Sequence, residues 1–220
     1  MRLLDKFKRQ EPGEAILARK FGSDQRGESA EYHYHLALAL AEDGSYEKAF
    51  TEFKQAIDQG LDNAEAHYNM GLICSQMNRL TEAIKYYERA INISPDFAEA
   101  YNNLGIIFSS LGRNIEAIKA YIRAIRLKPD YLDAHNNLGI VYYNCGSYAE
   151  AVKSCQKALK LDPRYSYAHY SLGLIYIDLR DKERAMEEQR ILKTLDQDMA
   201  AQLLDSIQRE FLIRPGVSKK

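Results

Sequence analysis

Residues 98–131 have the sequence AEAYNNLGIIFSSLGRNIEAIKAYIRAIRLKPDY, and their pattern of small, aromatic and turn residues recurs every 34 residues. The recurring positions of this central copy are Leu104, Gly105, Phe108, Ala117, Tyr121, Ala124 and Pro129. The pattern continues without a gap in both directions and gives five copies, at residues 30–63, 64–97, 98–131, 132–165 and 166–199. A fixed period of this length indicates repeated structural units, each packed on its neighbours.

Each copy carries the signals of two helices joined by a tight turn. Between its two halves stand residues that tolerate the left-handed backbone conformation in which many helices end, namely Gly44, Asn78, Gly112 and Gly146. Aspartates precede the first helix of the next copy, at Asp62, Asp96 and Asp130. We expect these carboxylates to cap that helix by accepting hydrogen bonds from its free N–H groups.

Glycine also recurs inside the first helix of four copies, at Gly71, Gly105, Gly139 and Gly173. In a helix interior glycine costs roughly 1 kcal/mol relative to alanine, so a recurrent glycine indicates a recurrent contact. We expect the missing side chain to let the second helix approach closely. The matching small surface would come from Ala83, Ala117, Ala151 and Ala185.

The order L-G-x2-Y, then A-x3-F-x2-A, then proline resembles the tetratricopeptide repeat, and the resemblance covers residues 30 to about 199. It implies an all-α fold, a right-handed solenoid of antiparallel helix pairs.

In residues 200–213, apolar side chains fall on one helical face, at Leu203, Leu204, Ile207 and Phe211. This segment is predicted to be a capping helix, because the last repeat would otherwise expose its apolar side. Residues 214–220 are predicted to be a loose tail.

Residues 1–29 lie outside the repeats and form a basic extension that we expect to be partly helical or disordered. Leu3, Leu4 and Phe7 fall on one helical face, and basic side chains surround them at Arg2, Lys6, Lys8 and Arg9. One interpretation is a frayed or docked leader, because so short a helix is marginal alone. The other is a basic amphipathic anchor for a membrane surface or a partner.

Composition limits the classes of partner. The chain has 30 basic and 31 acidic residues, so it has no overall field that would attract nucleic acid. Cys74, Cys145 and Cys155 lack C-x-x-C spacing and are predicted to be small buried hydrophobic residues, which suits a reducing compartment such as the cytoplasm. The N-terminal residues lack the apolar core of a secretory signal, and no apolar run approaches the roughly 20 residues that span a membrane.

The sequence predicts no catalytic chemistry and no cofactor. It contains no phosphate-binding loop, no G-x-S-x-G segment and no H-E-x-x-H segment.

Four histidines share one column of the repeat, His33, His67, His135 and His169. Neighbouring helices pack roughly 8–10 Å apart, whereas zinc holds nitrogens at about 2.0–2.1 Å, so these rings are predicted to pack between helices and not to bind metal. We also expect their protonation to loosen the repeats below about pH 6.5.

The resemblance further implies a concave groove lined by the first helices. The groove residues are predicted to be Glu65, Tyr68, Asn69, Leu72, Glu99, Asn102, Asn103, Ile106, Asp133, Asn136, Asn137, Ile140 and Tyr170. Among them, Asn69, Asn103 and Asn137 form a column of amides that suits the backbone of an extended peptide. This column resembles the asparagine ladder of the O-linked N-acetylglucosamine transferases, without their catalytic domain. The alternative is that asparagine is only a tolerated polar residue on a solvated helix face.

The acidic column of Glu65, Glu99 and Asp133 would repel a peptide carboxylate, which chaperone-binding members of the family hold with basic residues. We therefore predict a protein or peptide partner with basic and apolar side chains. The predicted function is a non-enzymatic scaffold, adaptor or co-chaperone that captures a segment of its partner. The alternatives are a membrane-surface assembly factor, a substrate-recruiting subunit of a separate enzyme, and self-association through stacked repeat ends.

Overall fold

The structure is a computed structural model that describes residues 29–213. The predictions for residues 1–28 and for the tail 214–220 lie outside the described residues. Residues 29–213 are helical and contain no strand, which confirms the predicted all-α class. The helices of this part are α1 (Ala30–Glu42), α2 (Tyr46–Asp58), α3 (Ala64–Gln76), α4 (Leu80–Ile93), α5 (Ala98–Ser110), α6 (Asn114–Leu127), α7 (Leu132–Asn144), α8 (Tyr148–Leu161), α9 (Ser166–Asp178), α10 (Lys182–Leu195) and α11 (Gln197–Gln208), and a π-helical turn follows at Arg209–Ile213.

The chain divides into two compact units, and the boundary follows residue 104 within α5. In the first unit α1 packs on α2, α2 on α3 and α3 on α4. Its largest fully buried side chains are Phe53, Met70, Leu72, Ile73 and Tyr87. In the second unit each helix from α7 to α11 packs on its predecessor, and the core includes the fully buried Tyr121, Leu172, Ile175, Leu192, Leu203 and Ile207.

The turn inside each helix pair uses one residue with a left-handed backbone. Gly44, Asn78, Gly112 and Gly146 have φ angles of 80°, 58°, 72° and 75°. This confirms the prediction for these four turns, because only a left-handed residue lets the chain reverse in so few residues. In the fifth pair Arg180 takes the same conformation with φ of 60°.

Gly71 and Gly105 make the close contacts that the sequence predicted, but with a different partner, whereas Gly139 lies near the carbonyl of the predicted Ala151 as well as Cys155. A Cβ atom added to Gly71 would lie 2.6 Å from Cε1 of Tyr87, and one added to Gly105 would lie 2.6 Å from Cε1 of Tyr121. The side chain that fills the space is therefore the large residue of the second helix, where the sequence suggested an alanine. Because both rings are fully buried, they have no room to retreat.

The prediction that Asp62 caps α3 is wrong. The side chain of Asn63 caps α3 by accepting a hydrogen bond of 2.8 Å from the N–H of Ala66. Its neighbour Asp62 instead accepts from the ring of His67 at 2.5 Å and from Arg89 at 2.9 Å. Asp62 precedes the extended cap residue, so its side chain can reach His67 and Arg89.

The helix α11 covers the apolar end of the second unit. It begins at Gln197, three residues earlier than the sequence predicted, because Asp196 caps it by accepting from the N–H of Met199 at 3.0 Å. Leu203 of α11 is fully buried against Gly173. It fills the space beside this glycine as Tyr87 does beside Gly71 and as Tyr121 does beside Gly105. None of the helices within residues 29–213 combines the length and the apolar character that crossing a bilayer requires.

Candidate functional site

A pocket of about 700 Å³ opens in the first unit, between the first turns of α3 and α5. The turn that follows α4 closes its third side. We call it the acidic pocket, and its lining residues are Ala64, Glu65, Tyr68, Ser94, Asp96, Phe97 and Glu99. All seven of these lining residues, which lie in the described part of the chain, belong to the first unit.

Two aromatic rings form the apolar part of the acidic pocket. The ring centroids of Tyr68 and Phe97 lie 4.7 Å apart with an angle of 32° between the planes. Tyr68 also packs on Tyr87 of the core, at 5.7 Å between centroids, and only 6% of its surface is exposed. Burial raises the pKa of Tyr68 to about 12, so its hydroxyl is neutral at physiological pH. The pocket therefore offers a fixed aromatic wall.

Three carboxylates give the pocket its charge. Glu65 and Glu99 stand in the first turns of α3 and α5, where the positive end of the helix dipole favours a negative side chain. Asp96 accepts a hydrogen bond of 2.6 Å from the hydroxyl of Ser94, and this bond lowers the pKa of its carboxyl. No basic side chain is among the seven lining residues. A pocket with this lining attracts a cation.

The amide column predicted from the sequence is engaged inside the fold in the first unit. The side-chain amide of Asn69 donates to the hydroxyl of Tyr34 at 2.9 Å, and that of Asn103 donates to the hydroxyl of Tyr68 at 3.1 Å. The two asparagines are 1% and 6% exposed. Asn69 and Asn103 are therefore not on a solvated helix face, and Asn103 holds the ring that lines the acidic pocket.

Other predicted groove residues of the first unit are also buried. Leu72 is 1% exposed and belongs to the core, while Asn102 is 4% exposed and donates a long hydrogen bond of 3.4 Å to Asn103. Of the predicted set, the structure thus brings Glu65, Tyr68 and Glu99 together at one pocket.

The predicted residues of the second unit have mixed exposure. Asp133 accepts a short hydrogen bond of 2.5 Å from the hydroxyl of Tyr165, and burial raises the pKa of its carboxyl against the opposing effect of that bond. Asn136 is buried and accepts a weak contact from the thiol of Cys155 at 3.8 Å. Four predicted residues are half-buried or exposed, namely Ile106, Asn137, Ile140 and Tyr170.

Sequence reasoning missed Ser94, Asp96 and Phe97, which lie in the turn between two repeats. One signal could have found the aromatic member. Phe97, Tyr131 and Tyr165 recur at intervals of 34 residues, each just before a first helix. Phe97 lies directly before the first turn that carries Glu99, and Tyr131 directly before the one that carries Asp133, so an aromatic and an acidic side chain stand side by side at two of the three positions.

The histidine column does not form a common site. His33 contacts Glu52 at 2.6 Å, His67 contacts Asp62, and His169 contacts both Glu188 at 2.6 Å and the carbonyl of Pro163 at 3.0 Å. Each ring thus has a separate acceptor within its own unit. Among residues 29–213, no three histidine, cysteine or acidic side chains come close enough to hold a metal ion.

Sequence models of one family match the chain. A model described as "TPR repeat" matches residues 39–77, 71–112 and 107–146, and models described as "Tetratricopeptide repeat" match residues 132–165 and 154–187. Together these matches extend over residues 39–187 of the 220 residues. A search of curated protein sequences gave no match.

Solved structures of repeat proteins are similar in fold. A MamA structure from Desulfovibrio magneticus RS-1 is 20% identical with a TM-score of 0.71, over 78% of this chain and 97% of that one. TTC0263, a thermophilic TPR protein in Thermus thermophilus, is 20% identical with a TM-score of 0.65, over 81% and 99%. YrrB, described as "a TPR protein with an unusual peptide-binding site", is 20% identical with a TM-score of 0.64, over 89% and 98%. At these identities the likeness shows the fold alone.

Proposed function

The chain belongs to the tetratricopeptide repeat family, and we propose that it is a non-enzymatic scaffold that captures a peptide segment of a partner protein. The observation that carries this proposal is the acidic pocket, with Tyr68 and Phe97 as its wall and three carboxylates around them. The similarity in fold to YrrB, which is described as having a peptide-binding site, supports the same class of function.

The partner segment carries a lysine or arginine beside an apolar residue. The ammonium or guanidinium group is attracted by Glu65, Asp96 and Glu99, and such charge-assisted hydrogen bonds are about twice as strong as neutral ones. The stem of the basic side chain, or its apolar neighbour, packs on the faces of Tyr68 and Phe97. A peptide C-terminal carboxylate has the wrong charge for this pocket, which argues against that mode of recognition.

Binding to this pocket requires little ordering of the protein. The ring of Tyr68 is held by the hydrogen bond from Asn103 and by packing on Tyr87, and both contacts exist before a ligand arrives. A preformed site avoids the entropy loss of fixing mobile side chains, roughly 0.5–1.5 kcal/mol for each. We therefore assign Asn103 the role of holding Tyr68 in the wall, while Asn69 holds Tyr34 of the preceding repeat.

In the second unit we assign partner contacts to the accessible members of the predicted set, which are Ile106, Asn137, Ile140 and Tyr170. Ile140 is 37% exposed, an apolar surface that a partner side chain can cover. The three cysteines are free thiols, which supports the proposal that the protein works in the reducing cytoplasm.

Affinity capture from native lysate tests the proposal with two charge-matched variants. Glu65→Lys/Glu99→Lys reverses the pocket, and Asp58→Lys/Glu88→Lys makes the same change in net charge at positions outside it. Circular dichroism first establishes that all three proteins are folded. Partners that are lost with the pocket variant and kept with the control support the proposal. If both variants keep the partners of the wild type, the acidic pocket is not the binding site.

A further inference from the structure

We propose that the acidic pocket is occupied by residues 1–9 of the same chain when no partner is bound, and that a partner must displace them. This inference rests on the proposed function of the pocket as a site for basic, apolar segments. It goes beyond that function because it names an occupant and makes binding competitive.

The charge of residues 1–9 is opposite to that of the acidic pocket. The segment MRLLDKFKR contains four basic side chains and one acidic side chain, a net charge of +3. The whole chain has a net charge of -1, so the other 211 residues carry -4. The basic character is thus concentrated in this short segment, while three carboxylates line the pocket. Opposite charges on two parts of one chain favour their association.

The apolar residues of the segment match the aromatic wall. Leu3, Leu4 and Phe7 are interspersed with the basic residues, so a cation and an apolar side chain occur within a few positions of each other. The pocket has the same combination, with Tyr68 and Phe97 beside Glu65 and Glu99. A segment with only apolar residues would not use the carboxylates, and a segment with only basic residues would cover less of the two rings than one that also carries Leu3, Leu4 and Phe7.

The connecting chain is long enough to reach. Nineteen residues, 10–28, join the segment to Ser29, the first described residue, and the pocket belongs to the same unit as Ser29. Fully extended, nineteen residues span at most roughly 60 Å. A compact body the size of residues 29–104 has a radius of gyration of about 11 Å. The segment can therefore reach any face of the first unit.

Attachment to the same chain makes this occupant a strong competitor. A tethered ligand acts at an effective concentration on the order of millimolar, so a contact whose dissociation constant lies about tenfold below that value keeps the pocket largely filled. The C-terminal residues 214–220 are the other basic segment, with Arg214, Lys219 and Lys220. They contain no aromatic residue and lie at the opposite end of the chain from residues 1–9, which makes them the matched control.

Peptide binding to the full chain tests the inference. The probe is a fluorescein-labelled peptide with the sequence of residues 1–12, and fluorescence anisotropy in 0.15 M salt measures its affinity. The proteins are the wild type, the variant Lys6→Glu/Lys8→Glu/Arg9→Glu, and the control Arg214→Glu/Lys219→Glu/Lys220→Glu, which changes the net charge equally. We expect the N-terminal variant to bind the probe at least about tenfold more tightly than the wild type and the control, because its own segment no longer competes. Adding Glu65→Lys/Glu99→Lys to the N-terminal variant should abolish this binding.

Three results would overturn the inference. Equal affinities of the wild type and the N-terminal variant would mean that residues 1–9 do not fill the pocket. Tighter binding by the C-terminal variant would make the tail the occupant. Sedimentation could show that the mass of the wild type rises with concentration and that the mass of the N-terminal variant does not. Residues 1–9 of one copy would then bind the pocket of a second copy. The proposed function stands in all three cases if lysate partners are still lost with Glu65→Lys/Glu99→Lys, so the two failures are distinguishable.

Discussion

The side-chain amide of Asn103 donates a hydrogen bond of 3.1 Å to the hydroxyl of Tyr68, which lies 35 residues earlier in the preceding repeat. Asn69 makes the equivalent bond to Tyr34 at 2.9 Å, so the contact repeats with the sequence. Both bonds join the first helices of successive repeats. The asparagine column thus stabilises the register between repeats and the position of the tyrosine rings.

Replacing Asn103 with alanine should lower the free energy of unfolding by about 1 kcal/mol, because it removes a hydrogen bond between largely buried groups. Tyr68→Phe should have a similar effect. Urea denaturation of both single variants and of the double variant measures their coupling. We expect the double variant to lose less free energy of unfolding than the two single variants lose together. If the two losses simply add, the bond does not contribute to stability.

Gly105→Ala should destabilise the second unit. The new Cβ would lie 2.6 Å from Cε1 of Tyr121, whose ring is 2% exposed and cannot move aside. Overpacking of this kind costs about 1–3 kcal/mol, which exceeds the gain of roughly 1 kcal/mol from replacing glycine in a helix. Gly112→Asn is the control, because Asn tolerates the left-handed turn and nothing lies within 4 Å. An unchanged denaturation midpoint for Gly105→Ala would contradict the tight contact.

His169 should make the protein more stable at mildly acidic pH than at alkaline pH. Burial of the ring opposes its protonation, but hydrogen bonds to Glu188 and to the carbonyl of Pro163 outweigh this effect and raise its pKa above 6.5, with Asp162 also contributing. A raised pKa in the folded state means that the contribution is fully present below pH 6.5 and is lost as pH rises through the folded value. For this residue, the expectation that protonation loosens the repeats is therefore wrong.

The test compares unfolding by urea from pH 5.5 to 8.5 in the wild type and in His169→Gln. The stability difference between them should shrink as the pH rises. His135→Gln is the control. The ring of His135 hydrogen-bonds to the carbonyl of Pro129 at 2.9 Å, as the ring of His169 does to the carbonyl of Pro163. The ring of His169 additionally contacts the carboxylate of Glu188. A difference between wild type and His169→Gln that is constant over this range would contradict the assignment.

Leu203→Ala should loosen the end of the second unit. Leu203 is fully buried against Gly173, and truncating such a leucine costs about 2–5 kcal/mol. Because repeat proteins open locally, hydrogen exchange should accelerate most in α9, α10 and α11. Gln202→Ala, at an exposed neighbouring position, should leave exchange unchanged. Uniform acceleration along the chain would indicate that α11 is not a local cap.

Thiol labelling should separate the three cysteines. Cys74 and Cys155 are buried, and burial raises the pKa of each thiol to about 12, so neither forms a thiolate near neutral pH. Cys145 is exposed, which corrects the prediction that all three are buried. Iodoacetamide at pH 8 should modify only Cys145 in the folded protein. Equal rates at all three positions would contradict the buried placement of the other two.

The sequence alone determined the helical repeat, its period and its turns. Gly44, Asn78, Gly112 and Gly146 predicted the turns correctly because a left-handed backbone is a local requirement that few residue types meet. The recurrent glycines likewise predicted a close contact, since glycine in a helix is unfavourable without one. These signals act within one repeat, so they can be read without knowing how repeats pack.

Only the tertiary structure decided which side chains meet. The bond between Asn103 and Tyr68, and the meeting of Phe97 with Glu65 at the acidic pocket, depend on side-chain directions across two repeats. The contact of Asp62 with Arg89, which lies on α4, is likewise a tertiary one, while Asn63 directly before α3 provides the cap. Periodicity fixes where a residue stands on its helix, whereas packing decides whether its polar group faces solvent, a ligand or another side chain.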